Sequence, residues 1–350
     1  MTARRGVRLG PVGLRLTHRA LYATVAVLAL LLLGCWIALF TGDLDLSTSR
    51  VWATLGGDGT TVERLVVVDR RLARTLAALL IGFALGCAGA LTQSITRNPI
   101  ASPDILGVTS GASFFAVVLV TRPEITSSVA DRAPAELVAP AALLGGLLTT
   151  ACILALSWRG GFDGLRLILV GLSVNSLTLA GVAWLLTRAE MAEAQAATRW
   201  LSGSLNGARM PEVLMMAPVM AGGLLLCLML ARDLAALRMG RDLAPALGTA
   251  PARTEGLALL VAVVLVSVAT AVAGPVSFVA FIAPQAAMRA FGTAGPPPVA
   301  GGLIGALLVL GADLVGSRLP AELPVGVPTA VIGAPFLLYL LIQHRRRTSV

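Results

Sequence analysis

Ten apolar stretches recur along the chain, at roughly 21–40, 74–95, 104–120, 136–157, 166–187, 211–231, 254–273, 276–291, 298–317 and 325–343. A helix needs about 20 apolar residues to cross a hydrocarbon core, so the pattern predicts ten spanning helices. The segments 104–120 and 276–291 are short for a straight span, and glycine and proline edge both. Short, interrupted segments in the two halves of a transporter point to its path. The polar stretch 41–68, with Gly56, Gly57 and Gly59, is expected to lie outside. No internal repeat aligns by eye.

The connection 92–113, TQSITRNPIASPDILGVTSGAS, organises the rest. Pro99 biases Asn98 away from the helical region, and Pro103 does the same to Ser102. One helix should therefore end near Thr96, and another should start near Pro103 or Asp104. Asp104 suits a first turn, where a carboxylate faces the positive end of the helix dipole. Broken backbone beside membrane-length segments is tolerated only when buried in protein or lining a watery cavity. The stretch is either an ordinary cytoplasmic loop or a re-entry at the inner mouth of a translocation path. Leu234 to Gly248 is the longest inner connection and is amphipathic. Alone it fits a helix lying on the membrane, and it is also where a cytoplasmic partner could push. In 274–289, Gly274 and Pro275 turn the chain, and Pro284 kinks the helix by removing a backbone bond. The many small residues of 82–94 and 107–113 suit a wide pathway and tight helix packing equally well.

Composition fixes the solvent. Of the 350 residues 57% are hydrophobic and 13% charged, with a mean hydropathy of +0.86. Soluble domains carry about 25% charged residues, so the outside of this chain faces lipid. The expected class is an all-α polytopic membrane protein. Its parts are a basic tail at 1–20, a ten-helix domain at 21–343 and a short tail at 344–350. Leu21 to Phe40 is longer than a signal-peptide core and lacks an obvious cleavage site, so it is read as the first span.

All 27 basic residues are arginine. A Walker A loop requires a lysine, so this chain has no P-loop ATPase site. The two histidines, His18 and His344, lie in the tails, which leaves no histidine-based catalysis inside the bundle. Cys35, Cys87, Cys152 and Cys227 each sit alone in an apolar segment, as small buried hydrophobes do. The high pI does not point to nucleic acid, because the arginines flank apolar segments. Ten spans place 16 of the 27 arginines on the inner side, with five of the 18 acids there and twelve outside. That bias predicts both termini in the cytoplasm.

Asp313 is the one carboxylate within a span, and it has no second acid at helical spacing. Intramembrane acids serve ion sites or structural pairs, and the missing second acid favours pairing. Arg70, Arg71 and Arg74 open the second span at its outer end, with Arg71 and Arg74 on one face. Snorkelling accounts for one such arginine. Three on the outer side suit an acidic partner docking from outside.

The stretches 71–113, RWLSGSL at 199–205, MGRDLAPALG at 239–248, GPVSFVAFIAPQAAMR at 274–289 and the run 312–341 occur in the order found in the FecCD family. The chain resembles that family, the permeases of type II ABC importers for ferric siderophores, haem and cobalamin. The resemblance implies a type II importer fold of ten helices, with two permease subunits enclosing one pathway. It implies a cytoplasmic gate at Asn98, Pro99 and Ile100. It implies an ATPase-coupling segment carried by Leu237, Arg238, Gly240, Arg241, Asp242, Ala244, Leu247 and Gly248. It places docking of an external binding protein at Arg71, Arg74 and Arg318, and structural turns at Gly274, Pro275, Pro284, Gly333 and Pro335. Gln285 stands where the family often has histidine. The implied partners are a second permease subunit, two cytoplasmic ATPases and the binding protein. No cofactor is expected on this chain, and ATP and magnesium belong to the ATPases. Ferric siderophores are the expected cargo, with cobalamin or haem as the alternative. An ion-coupled secondary transporter using Asp313 is the rival from another class.

Overall fold

A computed structural model describes residues 5–9, 12–42, 44–122, 134–157, 164–319 and 322–348. Arg4, Arg159 and Asp163, counted in the charge bias above, lie outside the described residues. The tail holds an antiparallel hairpin, β1 (Arg5–Leu9) and β2 (Val12–Leu16). The rest is helical: α1 (His18–Phe40), α2 (Thr48–Leu55), α3 (Thr61–Thr96), α4 (Val108–Thr121), α5 (Pro134–Ser157), α6 (Gly164–Arg188), α7 (Met191–Leu201), α8 (Met210–Arg238), α9 (Pro251–Ala273), α10 (Val279–Phe291), α11 (Pro298–Gly316) and α12 (Gly326–Thr348). All ten predicted spans fall on helices. Seven helices are long and apolar enough to cross a membrane, and three apolar ones are shorter, at 108–121, 279–291 and 326–340.

Burial sorts these helices into centre and rim. In the most apolar window of α3, 78% of residues are buried, against 17% for α1 and for α6. The cause is a run of small residues. A Cβ on Gly82 would lie 2.3 Å from the Gly305 carbonyl oxygen, and one on Gly86 would lie 2.1 Å from that of Gly301. A Cβ on Gly89 would lie 1.7 Å from the carbonyl oxygen of Ala280 in α10. The backbones of α3, α11 and α10 therefore touch directly, the small-residue packing that holds helices together in lipid. Nearly all of 82–94 is buried within this chain, as a packing face is, although Thr92 also borders an inner cavity. The same holds near 111, where a Cβ on Gly111 would meet Thr149 Oγ1 of α5 at 2.2 Å.

Guanidinium groups fasten the helix ends. Arg19 at the start of α1 donates to the Arg289 and Ala290 carbonyls at the end of α10. Arg238 donates to the Pro296 carbonyl before α11 at 2.6 Å. Terminal carbonyls lack intrahelical partners, and a cation at the negative end of the dipole satisfies them. At the opposite end Trp36, Phe40 and Trp52 stack, with α1 and α2 ring centroids 5.8 and 6.5 Å apart. Such clusters suit the membrane interface.

Three expectations need correction. The helix predicted from 104 starts at Val108: Pro103–Leu106 is a single 3-10 turn, and Gly107 at φ 69° breaks it from α4. The span predicted from 74 starts earlier, because α3 begins at Thr61 and runs through a π-helical stretch at 65–72, and α2 also lies in the polar stretch 41–68. Gly333 and Pro335 are not turns. They lie inside α12, where Gly333 admits the Phe278 ring to within 2.3 Å of where its Cβ would be.

Candidate gate and coupling site

The gate turn is built by the two prolines. α3 ends at Thr96, and Arg97 adopts the left-handed conformation at φ 50°, ψ 30°. Asn98 Oδ1 then accepts the Ile100 N–H at 3.0 Å, and the Asn98 carbonyl accepts the Ala101 N–H at 3.1 Å. This Asx turn consumes the polar groups that Pro99 leaves without a helical partner. Pro99 and Ile100 are exposed, so an apolar tip projects from the end of the bundle that carries both termini. Behind it Asp104 accepts hydrogen bonds from Ser102 Oγ at 3.2 Å and Thr109 Oγ1 at 2.8 Å. Those bonds lock the 3-10 turn onto α4.

The coupling stretch follows α8. Its first part, through Arg238, continues that helix, beyond the predicted end at 231. Gly240 at φ 132° breaks the helix, a turn follows, and Pro245–Leu247 forms a 3-10 turn closed by Gly248 at φ 79°. Side chains would be strained at both glycines. Ala244 is the buried pivot: its carbonyl accepts from Leu247 and Thr249, and its N–H donates to Gly240. Thr249 Oγ1 contacts Asp233 Oδ1 at 3.3 Å and fixes the return into α9. Arg241 Nη2 pairs with Glu255 Oε2 at 3.3 Å, while Asp242 is exposed. Met239, Leu243 and Leu247 are exposed by 67%, 59% and 49% at spacings of four residues. Exposed apolar side chains grouped on a connection between helices are candidates for a protein contact. The sequence reading named Leu247 and missed Met239 and Leu243, although their i, i+4 spacing was visible.

The gate turn and the coupling stretch meet. Arg97 Nη2 donates to the Leu237 carbonyl at 3.0 Å. Beside this bond lies a cavity of about 250 Å³, lined in part by Thr96, Arg97, Leu106, Leu167, Arg241 and Glu255.

The outer arginines also come together. Arg71 donates to the Leu39 carbonyl at 3.1 Å and the Leu44 carbonyl at 2.7 Å, stapling α1 to α3. Arg74 holds Asp313 of α11 in a bidentate pair, from Nε at 2.9 and 3.0 Å and Nη2 at 2.9 Å. Arg318 donates to the Leu314 carbonyl at 3.0 Å and to Thr41 Oγ1 at 2.6 Å. One corner, made by α1, α3 and α11, carries all three. Arg70 is exposed beside them. At the same end Gly274, at φ 71°, and Pro275 end α9, and a Cβ on Gly274 would strike the Trp200 carbonyl at 2.4 Å. Pro284 lies inside α10.

Two features escaped the sequence reading. α7 is a short amphipathic helix closed by a Glu190–Glu193 capping box, and it is too short and polar to register as a span. In α6, Ser173 and Ser176 are exposed at mid-span and return their hydroxyls to the Leu169 and Leu172 carbonyls at 2.9 Å. That back-bonding lets a hydroxyl sit in an apolar helix without cost from an unmet donor.

Among the described residues no group of three or more His, Cys, Asp or Glu side chains could hold a metal ion. Comparison with known proteins shows the family of the chain. The FecCD transport family matches residues 30–343. The ferric enterobactin transport system permease protein FepG of Escherichia coli is 42% identical over 325 residues, covering 92% of this chain and 95% of its own. The achromobactin transport system permease protein CbrC of Dickeya dadantii is 36% identical, covering 92% and 91%. A solved inward-facing structure of a metal-chelate type ABC transporter superposes with a TM-score of 0.76 at 26% identity, over 91% of this chain and 98% of that one. With this much of its length matched, the chain is a multi-span membrane permease that belongs to the FecCD transport family.

Proposed function

We propose that the chain forms half of the pathway of an ATP-driven importer of ferric siderophores. Two permease subunits would enclose the path, two ATPases would sit against Met239, Leu243 and Leu247, and a binding protein would deliver cargo from outside. Both termini would be cytoplasmic, and the chain would do no bond chemistry and bind no cofactor. ATP and magnesium would belong to the ATPases. The observation that carries the cargo is the 42% identity to a ferric enterobactin permease along nearly the whole chain. The hydroxyl-bearing face of α6 supplies a polar lining where a lipid-facing helix needs none.

The gate would be the Asn98, Pro99 and Ile100 turn, and the coupler the segment from Leu237 to Gly248. Docking would use the N–H groups that Arg71, Arg74 and Arg318 have not already spent. Each guanidinium has five, and each uses two nitrogens inside the chain. A carboxylate arriving from the binding protein would be steered to that corner by charge.

Uptake of radiolabelled iron by a strain lacking this gene tests the reading. Ferric siderophore uptake should fall to background and return with the gene. Normal uptake of every ferric siderophore, together with loss of cobalamin or haem uptake, would move the cargo to those compounds.

A further inference from the structure

We propose that Arg97 is the residue through which movement of the coupling stretch reaches the gate turn. The proposal rests on the gate and coupling roles given above, and it names the contact that joins them.

Four observations converge. Arg97 is one of three non-glycine residues described at positive φ. Glycine or asparagine would hold that conformation with less strain, so the position keeps an arginine at a backbone cost. Its side chain crosses to another helix and donates from Nη2 to the Leu237 carbonyl, in the last turn of α8, at 3.0 Å. A cation there also meets the negative end of the α8 dipole. Arg97 is adjacent in sequence to Asn98, and the Asx turn that follows is rigid. A pull on its side chain is therefore transmitted to Pro99 and Ile100 with no flexible residue between. Finally, the cavity of about 250 Å³ lined by Thr96, Arg97, Arg241 and Glu255 gives both partners room to move without disturbing the packed α3 core.

The second tie in this region behaves differently. Arg241 is half exposed and contacts Glu255 at 3.3 Å. Exposed pairs of this kind contribute little, so this bridge can open; Arg97 is exposed as well, but its acceptor, the Leu237 carbonyl, lies in the packed end of α8. A shift of the stretch that carries the last turn of α8 with it would then draw residues 97–100 along. A mere end cap would equally satisfy the Leu237 carbonyl, but it would have no effect on how much cargo moves per ATP.

The test uses the whole importer in proteoliposomes: this chain with its partner permease, its ATPases and its binding protein. Cargo uptake and ATP hydrolysis are read in the same sample for Arg97→Gln, Arg97→Lys and Leu243→Asp. With Arg97→Gln, uptake per ATP hydrolysed should fall about tenfold, a typical size for a lost coupling between sites. Lysine retains a charge and a donor for the single carbonyl, so Arg97→Lys should restore most of the ratio. An Ile100→Cys reporter in a cysteine-free background should change its reactivity towards a water-soluble maleimide when ATP is added. That change should vanish when Arg97→Gln is combined with it. An unchanged ratio of uptake to hydrolysis in Arg97→Gln overturns the proposal. So does a proportional loss of both with an intact ATP response at residue 100, the pattern of a plain cap. If Leu243→Asp uncouples while Arg97→Gln does not, this inference fails alone. If Leu243→Asp also leaves the ratio untouched, the coupling role of the stretch fails with it.

Discussion

Gly89→Ala should destroy the folded permease, although it adds one methyl group. That methyl would sit 1.7 Å from the Ala280 carbonyl oxygen and 2.6 Å from its carbon, both backbone atoms. No side chain can turn aside to make room, so α10 has to leave α3. Adding a methylene to a tight core costs about 1–3 kcal/mol where neighbours can adjust, and here a whole helix must shift. Native stability is only about 5–15 kcal/mol, so the loss takes a large share of it. Gly222→Ala is the matched control. Gly222 lies in α8 with nothing within 4 Å of its would-be Cβ. Alanine there should be neutral or better, because glycine costs a helix interior about 0.5–1 kcal/mol. Thermal unfolding of the two variants in detergent should show a collapse for the first and no loss for the second. Equal melting of both would mean that α3 and α10 are not in backbone contact.

The second large effect belongs to Asp313. Its carboxylate is 7% exposed and is held by three contacts from Arg74. Removing one partner of a fully buried pair leaves an uncompensated charge and costs about 3–5 kcal/mol; the Arg74 side chain is 27% exposed, so the cost here falls below that range. Asp313→Ala should therefore melt well below the parent. Replacing both partners with apolar residues of similar size, Arg74→Met with Asp313→Leu, should recover most of the loss, since such exchanges are often neutral. The same residue separates two mechanisms. An ion-coupled transporter would need Asp313 to take up and release a proton or cation. The bidentate pair occupies both carboxylate oxygens, so Asp313→Asn should retain uptake for each folded permease. Loss of uptake in a well-folded Asp313→Asn chain would restore the ion-coupled reading.

Each of the ten predicted apolar stretches falls on a helix, and seven of the described helices are long and apolar enough to cross a membrane, because lipid demands long apolar runs. The sequence pattern also located the turn at 97–101, because proline restricts its neighbour wherever it stands. It missed α2 and α7, whose eight and eleven residues are amphipathic and bind the bundle by one face only. It placed the start of α3 too late, because Arg64, Asp69 and Arg70 interrupt the apolar run without breaking the helix. Pairings distant in sequence were beyond it. Arg74 and Asp313 stand 239 residues apart, and nothing local tells either that it has a partner. The small residues of 82–94 were visible, but whether they faced a path or another helix depended on Gly301 and Gly305 lying opposite. Gln93 and Gln285 give a last example. Gln285 Nε2 donates to Gln93 Oε1 at 2.7 Å in a buried contact between α3 and α10. That explains a polar residue at 285 only after the fold is known.

The absence of lysine acquires a meaning in the structure. Arg19, Arg71, Arg97, Arg238 and Arg318 all donate to main-chain carbonyls of helix ends or their connections. The fixed fork of a guanidinium can reach two acceptors at once, as Arg19 and Arg71 do.

The source of the driving force separates an ATP-driven importer from an ion-coupled transporter. Cargo flux into sealed vesicles should be measured with the chain alone under a proton or sodium gradient, and again with its ATPases, ATP and the binding protein. Accumulation should occur only in the second case and should stop when the ATPases are catalytically dead. Accumulation driven by a gradient across vesicles that contain this chain and no ATPase would contradict the ATP-driven reading.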